Sequence, residues 1–151
     1  MVLDADAVSS TSLRVAREDD TALYAGSVAN RKALVVDDDP RNLYAMRILL
    51  ERYQMEVLQA KNGREALSLI RQHPSLAVVL MDIMMPEMDG FETIKRIRTE
   101  LNRMELPVIA VTAKAFPEDR DRCIQAGASD YLAKPIDEAQ LIALIGSCLG
   151  N

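Results

Sequence analysis

The chain has 151 residues, 49% of them hydrophobic and 27% charged, with a net charge of -5. That length suits one domain with a single core, burying roughly 68–70% of the unfolded surface, and its apolar runs are far too short to cross a bilayer. The acidic balance argues against a nonspecific nucleic-acid binder, which needs clustered Lys and Arg to meet phosphate.

Asp4 and Asp6 stand where an export signal needs basic and then apolar residues, so the expected compartment is the cytoplasm. Cys123 and Cys148 are too few for a disulfide framework or a metal site and read as two buried thiols. His73, before Pro74, reads as a solvated helix-end residue. Residues 1–30 lack periodicity, carry Ser9-Ser10-Thr11-Ser12 and hold more acids than bases, the pattern of a flexible extension or linker. A short helix between Leu13 and Leu23 is left unassigned.

From Lys32 the pattern alternates between strand and helix. Ala33 to Val36 is an apolar run stopped by Asp37-Asp38-Asp39, with Asp39 placed to cap a helix and Pro40 at its first position. That helix has an apolar face of Leu43, Met46, Leu50 and Tyr53. Met55 to Ala60 is a second strand, and Gly63 to Gln72 a second helix with Ala66, Leu67 and Ile70 inward. Ala77 to Met81 is a third strand, closed by Asp82 and followed by Ile83-Met84-Met85-Pro86-Glu87-Met88-Asp89-Gly90.

Asp89 reads as a turn and cap residue for a third helix marked by Phe91, Ile94, Ile97 and Leu101. Pro107 to Val111 is a fourth strand ending on Thr112, and a fourth helix runs from Pro117 to a stop at Gly127. Asp130 to Ala133 is a fifth strand ending on Lys134-Pro135. Asp137 and Gln140 have capping-box spacing before a last helix with Leu141, Leu144, Ile145 and Cys148 on its apolar face. Apolar strands alternating with helices predict an α/β fold, a parallel sheet covered on both faces by right-handed crossovers.

In such a sheet the residues that end the strands share one rim, where ligands bind. Asp37, Asp38, Asp82, Thr112 and Lys134 therefore converge. Two like charges about 4 Å apart repel by on the order of 4 kcal/mol at an effective dielectric of 20, so three close carboxylates require compensation. Lys134 supplies one positive charge and leaves a deficit of two, which a divalent cation fills. Oxygen-only ligands without Cys or His favour Mg²⁺, which keeps several waters and takes a phosphate as a further ligand.

Between about Lys32 and Leu149 the chain resembles the receiver domains of two-component response regulators. The resemblance rests on Val35-Val36-Asp37-Asp38-Asp39, Leu80-Met81-Asp82 through Asp89-Gly90, Val111-Thr112-Ala113 and Tyr131-Leu132-Ala133-Lys134-Pro135. In this order and spacing these motifs are highly specific. The resemblance implies a doubly wound, flavodoxin-like sheet of strand order 2-1-3-4-5 over residues 31–150. It implies Asp82 as phosphoryl acceptor, Asp38 as a direct Mg²⁺ ligand, Asp37 as a ligand largely through water, and the backbone carbonyl of Met84 as another. Thr112 would close on the phosphoryl group, Lys134 would ion-pair with it, and Tyr131 would reorient with Thr112. Met84 and Lys114 occupy positions that tune hydrolysis of the acyl phosphate, and the Lys134–Pro135 bond is expected to be cis.

The implied partners are a histidine kinase or histidine phosphotransfer protein, and a downstream protein docking on the surface of the fourth helix, fifth strand and fifth helix. No direct nucleic-acid contact is expected. The chain is then a phosphoacceptor regulatory domain, not an enzyme, either stand-alone or the receiver segment of a hybrid histidine kinase. A phosphatase of the haloacid-dehalogenase type also combines Asp, Mg²⁺ and Lys on a parallel sheet, but places its nucleophile on the first strand, where this chain continues Asp39-Pro40-Arg41. A docking module that is never phosphorylated is disfavoured by the filled chemical positions, and a Rossmann-type nucleotide binder by the lack of Gly-x-Gly-x-x-Gly after the first strand.

Overall fold

The structure, a computed structural model, describes residues 26–113 and 116–149. The unassigned stretch between Leu13 and Leu23 and the side chain of Lys114 lie outside the described residues. Five strands and five helices alternate: β1 (Lys32–Val36), α1 (Pro40–Arg52), β2 (Glu56–Ala60), α2 (Gly63–Gln72), β3 (Val78–Asp82), α3 (Gly90–Thr99), β4 (Val108–Thr112), α4 (Pro117–Ala126), β5 (Asp130–Ala133) and α5 (Glu138–Leu149). The strands form one sheet in the order β2-β1-β3-β4-β5, with every neighbouring pair parallel.

Period-two alternation sends each strand's side chains to opposite faces, and each face meets its own helices. Leu34, Val36, Val79, Met81, Val108 and Ala110 pack against Ala66, Ile70, Ile94, Ile97 and Cys123 from α2, α3 and α4. Ala33, Val35, Val78, Leu80, Ile109 and Val111 pack against Leu50, Leu141, Ile142 and Ile145 from α1 and α5. All five residues of β3 are buried, as the central strand of a sheet covered on both sides requires.

The helix ends follow local chemistry. Asp39, Asn62 and Asp89 accept from the amides of Arg41, Glu65 and Glu92 at 2.9, 2.8 and 3.0 Å, capping α1, α2 and α3. The capping role read for Asp89 is therefore observed. α4 stops at Gly127, whose φ of 116° suits glycine, and a Cβ there would lie 2.8 Å from Arg98 Cγ. At α5, Asp137 accepts from the Gln140 amide at 2.9 Å, the Asp137 half of the expected box.

Three sequence expectations shift in detail. β3 runs through Asp82 instead of stopping at Met81, because Asp82 is paired with Val111 and the ladder continues to an Ile83 amide bonded to the Val111 carbonyl at 3.0 Å. Val28, assigned to the extension by composition, is fully buried in the α1/α5-side core. Cys148 is half-buried rather than buried, while Cys123 is buried as expected. Among the described residues no helix is long and apolar enough to cross a membrane.

Candidate functional site

Strand register aligns the rim. Val36 pairs with Met81, which sets Asp37 level with Asp82; Asp82 pairs with Val111, which sets Thr112 one residue beyond; Thr112 pairs with Ala133, which sets Lys134 beyond that. Parallel pairing therefore turns four separate strand ends into one cluster. Asp37 and Asp82 are buried at 6% and 4% exposure, Thr112 is also buried, and Asp38 is exposed. One carboxylate oxygen from each of Asp37, Asp38 and Asp82 lies within 4.8 Å of the others.

Lys134 Nζ reaches between the two buried acids, 3.5 Å from Asp37 Oδ2 and 3.5 Å from Asp82 Oδ1. The Lys134 amide donates to the Thr112 carbonyl at 2.8 Å, tying the ends of β4 and β5. Asp37 Oδ1 accepts from the Asp39 amide at 2.9 Å, and Asp82 Oδ1 from the Met84 amide at 3.3 Å, so the loops that follow β1 and β3 orient both carboxylates. The second loop must fold closely over the strand end. A Cβ on Gly90 would lie 2.5 Å from the Asp82 carbonyl and 2.7 Å from Ile83 Cα.

Burial pushes the Asp82 carboxyl up to about 6, with the Asp37 charge acting in the same direction, while Lys134 and the Met84 amide pull it down. A buried acid beside a like charge is poised to gain from added positive charge. The acids and Lys134 line an open cleft of about 430 Å³ together with Arg41, Asn42, Met84 and Ala113. The donor set fits a divalent hard cation: three carboxylates and one amine leave a net charge of two to be supplied, all from oxygen ligands.

The structure brings Asp37, Asp38, Asp82, Met84 and Lys134 to one cleft. Tyr131 lies in β5, paired with Ala110 and packed against the α2–α4-side core, outside the cleft lining. The Lys134–Pro135 bond is cis, as the resemblance implies. Sequence reading passed over Arg41, whose guanidinium clamps Asp39 at 2.9 and 3.2 Å and holds that carboxyl below its usual range. It also passed over Arg98, buried in α3, which donates to the carbonyls of Gly127, Arg103 and Leu106 at 2.9, 2.7 and 2.6 Å. An Arg on an otherwise apolar helix face was the available signal for Arg98.

Residues 33–146 match the family described as the response regulator receiver domain. An uncharacterized 14.6 kDa protein of Leptolyngbya boryana is 46% identical over 120 residues, covering 79% of this chain and 90% of its own. Protein PilH of Pseudomonas aeruginosa is 38% identical over 120 residues, covering 80% of this chain and 98% of its own. The structure of the Vibrio cholerae chemotaxis protein CheY4 superposes with a TM-score of 0.74 at 30% identity, covering 80% of this chain and 100% of that one. With its strand order, its acidic rim and three quarters of its length in agreement, this chain belongs to the response regulator receiver domain family.

Proposed function

We propose that the chain is a phosphorelay module that takes a phosphoryl group onto Asp82 from a histidine kinase or histidine phosphotransfer protein and changes its docking surface in response. The observation that carries this reading is the placement of the Asp82 carboxylate, buried at a strand end, with two further acids within 4.8 Å and one amine 3.5 Å away. Asp37, Asp38, Asp82 and the Met84 carbonyl would hold Mg²⁺, which when bound supplies the positive charge the cluster lacks.

An Asp82 oxygen attacks the phosphorus of a phosphohistidine in line. The new P–O bond forms as the P–N bond breaks, and the imidazole nitrogen keeps the bonding pair. Lys134 Nζ, already beside Asp82, offsets charge on the transferring group. The acyl phosphate carries more negative charge than the carboxylate it replaces, in a buried site beside Asp37, so the product depends on Lys134, 3.5 Å from Asp82, and on the positive charge that a bound Mg²⁺ would supply. The acyl phosphate brings about -1.5 to -2 charge and new acceptor oxygens beside Thr112, whose hydroxyl closes on them and lets Tyr131 follow. That motion shifts an existing equilibrium at the α4, β5 and α5 surface, where a downstream protein docks. The chain acts in the cytoplasm as a regulatory domain that assists its own phosphorylation. Residues 31–150 form the receiver, and the residues before it an extension or linker.

Incubation with Mg²⁺ and acetyl phosphate, followed by intact mass, tests the reading. One phosphoryl adduct is expected, lost with chelator and lost in Asp82→Asn. No adduct, or one that persists in Asp82→Asn, contradicts it.

A further inference from the structure

The mouth of the acidic cleft carries an ion pair that the acceptor chemistry does not use. Asp39 and Arg41 both line the cleft. Arg41 Nη2 lies 2.9 Å from Asp39 Oδ2 and its Nε 3.2 Å from Oδ1, a two-point clamp. Asp39 Oδ1 also caps α1 through the Arg41 amide at 2.9 Å. The Arg41 side chain is 89% exposed, and a pair this open contributes little to folding. Its consequence is the field it leaves at the mouth.

The described cleft lining holds the carboxylates of Asp37, Asp38, Asp39 and Asp82 against the cations Arg41 and Lys134. Lys134 is shared between Asp37 and Asp82 deep in the cleft. Arg41 is the cation in direct contact with Asp39 and offsets most of its charge, while Lys134 acts on it more weakly from within the cleft. The two-point geometry favours Arg, since the planar guanidinium matches both carboxylate oxygens at once.

We propose that Arg41 is a specificity-determining residue for the phosphoryl donor: by clamping Asp39 it removes a negative charge from the mouth and admits donors whose phosphate arrives as a dianion. Arg41 acts through Asp39 and does not touch the reacting atoms. The inference rests on Asp82 as acceptor. Arg41→Ala exposes the Asp39 charge and repels a dianion more than a monoanion. Asp39→Asn keeps a good cap and leaves Arg41 unpaired, so it attracts the dianion. The double variant Asp39→Asn/Arg41→Ala removes both charges and returns the mouth to its starting balance.

The test is the rate of phosphoryl adduct formation by intact mass, at subsaturating donor and saturating Mg²⁺, with dianionic acetyl phosphate and with phosphoramidate of lower net charge. At low ionic strength, where the Debye length is about 30 Å, Arg41→Ala is expected to be roughly threefold slower with acetyl phosphate, less affected with phosphoramidate, and close to parity in about 1 M salt. Asp39→Asn should be as fast as the unsubstituted protein or faster, Arg41→Lys should retain most of the rate, and the double variant should match the unsubstituted protein. An unchanged rate in Arg41→Ala overturns the proposal. So does a loss equal for both donors and insensitive to salt, which marks a structural role, or a double variant as slow as Arg41→Ala, which marks direct contact with the donor. No Mg²⁺-dependent adduct in the unsubstituted protein is a separate result, and it overturns the acceptor reading together with this one.

Discussion

Replacing Asp82 by Asn in the metal-free protein isolates the electrostatic cost of building the site. The Asp82 carboxyl is 4% exposed, faces Asp37, and is raised from an ordinary 3.8 to about 6, first by burial and then by the Asp37 charge. At about 1.4 kcal/mol for each tenfold, that rise means the ionised carboxylate destabilises the fold by roughly 3 kcal/mol at neutral pH. Between pH 3.8 and about 6 the folded chain binds more protons than the unfolded chain, so stability falls as pH rises through that window and levels off above it. Asn has the same shape, keeps an oxygen for the Met84 amide that now lies 3.3 Å from Asp82 Oδ1, and carries no charge. Urea denaturation in chelator near neutral pH is therefore expected to find Asp82→Asn about 1–3 kcal/mol more stable than the parent, with the gain shrinking toward zero near pH 4. Added Mg²⁺ should narrow or reverse the difference, because ligand binding stabilises the form that binds it better. An unchanged midpoint at neutral pH, or a gain that persists undiminished near pH 4, would refute the account of Asp82 as a strained, uncompensated carboxylate.

Three further outcomes follow from the same geometry. Lys134→Ala removes the amine 3.5 Å from both Asp37 and Asp82, so adduct formation should slow at least about tenfold. The Asp82 carboxyl should titrate still higher, measured by carboxyl NMR. Arg98→Ala strips the donors from the Gly127, Arg103 and Leu106 carbonyls, and urea denaturation should show a loss of about 3 kcal/mol while the protein still accepts phosphate. Met84 is 55% exposed in the cleft lining, and an apolar side chain there is expected to hinder an attacking water, so the phosphorylated protein should persist for minutes or longer. A half-life of seconds contradicts that role.

Much of the fold was legible because its signals are local. The caps at Asp39 and Asp89, the stop at Gly127 and the Gly63–Gln72 helix come from residues within a few positions of each other, and each is where the spacing put it. The convergence of Asp37, Asp82 and Lys134 was legible for another reason. Parallel strands leave no freedom in which rim their ends share, and register does the rest.

What escaped depends on contacts between elements distant in sequence. Tyr53 was read as one more apolar residue of α1, but its hydroxyl donates to Glu138 at 2.7 Å, and Arg52 meets the same carboxylate at 2.6 Å, tying α1 to the start of α5. Arg98 reaches Gly127, 29 positions away, and although its place on the apolar face of α3 marks it, nothing within α3 names that partner. Val28 looked like part of a polar leader because its neighbours are polar, yet burial is decided by the core it meets. The Asp39–Arg41 pair was near enough in sequence to be noticed, but capping had already explained Asp39.

The central claim is that Asp82, among the clustered acids, carries the phosphoryl group. Phosphorylation with acetyl phosphate and Mg²⁺, followed by borohydride reduction of the acyl phosphate and peptide mass mapping, measures it directly. The account predicts reduction to homoserine at position 82 alone; the same product at Asp37, on the first strand, or at neither position contradicts it.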